Sequence, residues 1–120
     1  MPWTLTVREG PRTRRERFDT VDAAVDALEI RLAALRPRAR RASTQALTRT
    51  YTPGQQVAAR GEIAGPNRLV ARWRAGADLR GDGSVEAYTG RLQRTVVARQ
   101  QGESPYDALR RTLRERGAGG

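Results

Sequence analysis

The stretch RLVARWRAGADLRGDGSVEAYTG, residues 68–90, alternates with the period of a β-strand and is broken once by glycines. Leu69, Ala71, Trp73, Ala75, Ala77 and Leu79 fall on one side, and Arg72, Arg74, Gly76, Asp78 and Arg80 on the other. A period of two is the mark of a strand with one buried face. Gly81-Asp82-Gly83 reads as a hairpin loop, with Gly83 able to take a left-handed conformation. Parity then selects the register. A two-residue loop sets Leu79 against Glu86, whereas a three-residue loop sets Leu79 against Val85 and Ala77 against Ala87. Only the second keeps one face apolar. It also puts Tyr88 opposite Gly76, where the ring can cover bare backbone. Beyond Gly90 the alternation blurs, and RLQRTVVAR is expected to continue the strand past a bulge.

Upstream, WTLTVRE alternates about Trp3, Leu5 and Val7, GPRT supplies a turn, and RRERF reads as the returning strand. Val21, Val25, Leu28, Leu32 and Leu35 then recur at steps of four and three, with Ala24 beside them, as on one face of a helix. Thr20 or Asp19 can cap its start, and Pro37 is expected beyond its end, with residues 37–45 a loop. ALTRTYT and QQVAARGEI read as strands. In SPYDALRRTLRER, Ser104 is the cap, Pro105 the first helical residue, and Asp107 completes a capping box. Tyr106, Leu109 and Leu113 face inward. The fold expected is α+β: a mainly antiparallel sheet of about five or six strands in the order ββαββββα. One long helix and a C-terminal helix pack on one of its faces. The length of 120 residues suits a single domain over 1–116, with 117–120 a frayed tail.

Composition narrows the chemistry. The chain has no cysteine and no histidine. Disulfides, thiolate metal sites and histidine-assisted nucleophiles cannot be built from it. No enzyme activity, no cofactor and no metal site are expected. MPWTLTVREG lacks the pattern of a signal peptide, no apolar run spans a bilayer, and a cytoplasmic location is expected. All 23 basic residues are arginine, against 13 acids, for a net charge of +10. Arginine in place of lysine matches the Ala- and Gly-rich composition of a GC-rich genome, but such a bias exchanges one cation for another. The excess of base over acid points instead to an anionic partner.

The arginines form three groups. Arg38, Arg40, Arg41 and Arg49 occupy an acid-free stretch from the helix end into the following segment, a candidate phosphate contact. Arg72, Arg74 and Arg80 share the polar side of the hairpin with Tyr88, although one tyrosine makes a poor base-stacking platform. The competing reading has Arg74 and Arg80 neutralising Asp78 and Glu86. Arg110, Arg111 and Arg114 lie along the last helix, where Asp107 can pair with Arg111. Asp22, Asp26 and Glu29 line the flank of the long helix at its positive end and are explained by its dipole. Ile30 projects from the opposite face among alanines, a surface suited to a second copy of the chain. The function expected is a small basic non-enzymatic binding protein that contacts polyanion backbones, nucleic acid first, with weak sequence preference. The alternative is a protein–protein or homodimeric module with acidic partners, and a small carboxylate-dependent enzyme comes third.

Overall fold

The computed structural model describes residues 3–45, 57–65, 74–90 and 94–117, with side chains described for 3–39, 57–65, 75–90 and 95–115. The elements are β1 (Trp3–Glu9), β2 (Arg12–Phe18), α1 (Val21–Gln45), β3 (Val57–Ala64), β4 (Arg74–Arg80), β5 (Val85–Gly90), β6 (Arg94–Val96) and α2 (Pro105–Gly117). The strands form one sheet in the order β2-β1-β3-β4-β5-β6, antiparallel at every neighbouring pair. Both helices pack on the same face, α1 across β1–β4 and α2 against β4 and β5. This is the α+β architecture ββαββββα. Among the described residues no helix is long and apolar enough to cross a membrane.

The β4–β5 hairpin has the register that parity selects. Leu79 pairs with Val85, Ala77 with Ala87, and Tyr88 with Gly76. Gly83 has φ 88°, and its N–H donates to the Arg80 carbonyl at 2.9 Å. The β1–β2 turn uses Gly10, φ 56°, followed by Pro11. A glycine leads the favoured two-residue loop with a positive first φ.

Two elements differ from expectation. α1 does not stop before Pro37 but runs on to Gln45. Proline removes one helical hydrogen bond and crowds the carbonyl four residues back, at Ala33. Beyond it, Ala39 is buried in the core and Arg38 reaches Glu9 at 2.8 Å, so contact with the sheet carries the helix on. The second difference is β6. It does not prolong β5 but turns back and pairs with it, Tyr88 to Val96 and Gly90 to Arg94. Gly90 ends the strand, and the Val97 N–H donates to the Ala87 carbonyl at 2.9 Å to extend the pairing. The strand read in ALTRTYT and positions 69–73 of the hairpin lie outside the described residues.

The caps form as the sequence implies. The Ala23 N–H donates to the Thr20 hydroxyl at 3.1 Å, which makes Thr20 the cap of α1. At α2, the Asp107 N–H donates to the Ser104 hydroxyl at 3.1 Å and the Ser104 N–H to the Asp107 carboxylate at 3.2 Å. The core lies between the helices and the sheet: Val25, Leu28, Leu32, Leu109 and Leu113 meet Leu5, Ile63 and Leu79. At its centre a side chain on Gly61 would collide with Leu28, so the leucine of α1 occupies the notch left by the glycine of β3. Leu28→Ala should therefore cost about 2–5 kcal/mol, the range of emptied core leucines. Gly76→Ala should destabilise by about 1–3 kcal/mol, since its methyl would lie 2.9 Å from the Tyr88 hydroxyl and against the Gly61 carbonyl. Denaturant midpoints of the two variants check both values.

Candidate functional site

Among the described residues no helix packs on the other face of the sheet, and that face divides into two electrostatic halves. The inner half, on β3–β5, carries acids matched to arginines. Asp78 is 0% exposed although no helix covers it. The Arg60 Nε donates to Asp78 Oδ1 at 2.7 Å, and its Nη2 reaches Oδ2 at 3.4 Å. The same guanidinium lies 5.4 Å from the centre of the Tyr88 ring, within cation–π range. Tyr88 crosses Gly76, and its hydroxyl donates to Glu62 Oε1 at 3.4 Å. Burial of the ring, with Glu62 nearby, pushes its phenol above the ordinary tyrosine range. Arg80 pairs with Glu86 at 2.6 Å. Of the sequence candidates, then, Arg80 is engaged by an acid. Tyr88 is 6% exposed and offers no free ring face for a base. Asp78 faces Glu86 as the register implies, and one of its partners is Arg60, one strand over, which hairpin parity alone does not reveal.

The outer half, on β1 and β2, carries no acid on this face. Arg17 pairs across the ladder with Thr4, Arg15 with Thr6, and Thr13 with Arg8. Arg8, Arg15 and Arg17 are exposed and have no partner among the described residues. Successive side chains on one face of a strand are about 6.8 Å apart, and neighbouring strands about 4.8 Å. Guanidiniums and hydroxyls therefore interleave on a regular lattice. Arg12, at the turn, is also exposed and without a partner among the described residues. Sequence patterning alone did not single out this group, although its signal was present. Arg8 alternates opposite Leu5 and Val7, and a two-residue Gly-Pro loop fixes which β2 arginines share its side.

Elsewhere, arginines clip the elements together. Arg31 reaches Glu16 at 2.8 Å and Arg38 reaches Glu9 at 2.8 Å, tying α1 to the β1–β2 hairpin. Arg110 contacts Asp26 and Asp22, and Arg114 reaches Asp22 at 2.6 Å, tying α2 to α1. Asp107 pairs with Arg110 at 3.2 Å rather than with Arg111. Arg111 turns instead to Glu103 and the Ala98 carbonyl, each at 3.1 Å, ahead of its helix. The acids on the flank of α1 thus serve as partners for α2. Among the described residues no three acids gather into a cation site. An open depression of about 330 Å³ beside β5, β6 and the start of α2 has one lining acid, Glu86, already paired with Arg80.

Counting charges locates the excess. Fourteen arginines and all thirteen acids have described side chains; the other nine arginines fall in segments 40–56, 66–74, 91–94 and 116–120, which contain no acid. Arg40, Arg41, Arg49, Arg72 and Arg74 belong to that second set, and their side chains lie outside those described. Arg38 is described and sits on Glu9. Comparison with protein-family models, curated proteins and solved structures finds no match.

The ion pairs make the fold sensitive to acid. Arg31 hydrogen bonding holds Glu16 below the usual carboxylate range, and Arg111 does the same for Glu103. The Ser104 N–H and hydroxyl lower Asp107, and the Ser84 hydroxyl and N–H lower Asp82. A carboxylate with a lower pKa folded than unfolded stabilises above its unfolded value, near 4, and loses that contribution as pH falls through the folded value. The melting temperature should hold from pH 7 to about 5 and decline below about 4. Glu103→Gln should flatten that decline, as read by thermal melts at stepped pH.

Proposed function

We propose that this chain is a small basic, non-enzymatic binding protein of the cytoplasm that contacts polyanion backbones, nucleic acid above all, with weak sequence preference. One observation carries the reading: nine of the 23 arginines fall in stretches 40–56, 66–74, 91–94 and 116–120, which hold none of the 13 acids. Arginines that clip helices to strands serve the fold. Arginines gathered in stretches without acids suit phosphate oxygens, which accept from guanidinium groups without regard to base identity. The buried ring of Tyr88 further supports backbone contact over stacking.

Titration of random-sequence duplex and single-stranded DNA and RNA at two salt concentrations tests this. Binding should weaken with salt, since each neutralised phosphate releases counterions. Replacing Arg40, Arg41 and Arg49 with Gln should weaken binding equally on unrelated sequences. On duplex DNA it should reduce the log–log salt slope by roughly 0.9 for each phosphate left without its arginine. No binding to any of these polymers at low salt would remove the reading and leave a protein partner or a second copy of the chain in first place.

A further inference from the structure

Resting on that reading, we infer that the open face of the β1–β2 hairpin seats a double-helical nucleic acid, with Arg8, Arg15 and Arg17 on its phosphates. Each of these side chains projects from the face that the helices leave bare, is exposed, and lacks a partner among the described residues. Their neighbours on the face are Thr4, Thr6 and Thr13, whose hydroxyls donate to phosphate and sugar oxygens. Arg15 and Arg17 stand about 6.8 Å apart along one strand, and Arg8 continues the set on the next. Long arginine side chains can reach successive phosphates of one backbone from such a lattice.

The occupant follows from what the face carries and lacks. Single strands are held by combining backbone charge with bases stacked on exposed rings. Trp3 and Phe18 share the helix side of their strands, and Tyr88 is buried beneath Arg60. With no exposed ring on this face among the described residues, affinity depends on the charge density of the ligand, and a duplex carries one charge per about 1.7 Å, twice that of either strand. The inner limit of the footprint is set by Glu62, which faces Thr6 across the β1–β3 ladder, and by Arg60, already committed to Asp78.

The test uses the full chain with a random-sequence duplex DNA, a duplex RNA and the matching single strands, at two salt concentrations. The wild type should bind both duplexes more tightly than the single strands at equal salt. The triple variant Arg8→Gln, Arg15→Gln, Arg17→Gln should melt with the wild type and reduce the duplex DNA salt slope by about 2.7. Arg15→Gln and Arg17→Gln singly should each reduce it by about 0.9, which keeps the test open should the triple variant fold poorly. Arg99→Gln, near α2 and away from this hairpin, should leave the slope unchanged. Wild-type binding with an unaltered slope in the triple variant overturns this surface while leaving nucleic-acid binding intact. Single strands bound as tightly as duplexes overturn the duplex assignment. Absence of all binding overturns both readings.

Discussion

The seating of Leu28 in the notch of Gly61 governs the rest of the molecule. A strand residue with no side chain at the centre of the sheet lets α1 approach closely, and its lateral neighbours are Val7 and Ala77. Ala59, Ala75 and Ala87 are likewise small and buried, so the middle strands contribute floor and the helices contribute bulk. Close packing of this kind tolerates little change in volume. It also accounts for the second glycine nearby. Gly76 lies back to back with this region, and its bare backbone is covered from the open side by Tyr88. One close approach thus shapes both faces of the sheet.

Much of this was legible in the sequence wherever a periodicity had a sharp end. Gly81-Asp82-Gly83 interrupts a strict alternation, so a single parity argument fixed six pairings. The capping box of Ser104 and Asp107 could be read because its chemistry is local. Pro37 misled for the same reason: local propensity argues for a helix end, and the burial of Ala39, a tertiary fact, overrides it. Partners distant in sequence were the hardest to read. Arg60 and Asp78 are eighteen residues apart on separate strands, and Asp22 and Arg114 lie on different helices, so neither pair leaves a spacing signature. The β1–β2 arginines fall between these cases. Their strands are recognisable by period, but the face is assembled from two short strands, and no single run of the sequence marks it.

Charge in this protein does two jobs that composition cannot separate. Ion pairs at exposed positions are individually worth little, typically less than about 1 kcal/mol. Here they join α1 to the hairpin and α2 to α1, so their role is to fix the placement of elements whose apolar contacts already hold them. The Arg60–Asp78 pair is different, because its carboxylate is withdrawn from water and depends on the guanidinium for solvation. Glu9 and Glu16 turn to the helix side, and Arg8, Arg15 and Arg17 leave the other face of β1 and β2 with charge of one sign.

β2 is the outermost of the described strands, and one side of its backbone has no neighbouring strand among them. An uncovered edge of this kind invites pairing with the same edge of another molecule. RTRRERF sets four arginines and one glutamate along it, so two copies approaching edge to edge meet mutual repulsion. The same cations that face solvent here thus also guard the edge against such pairing.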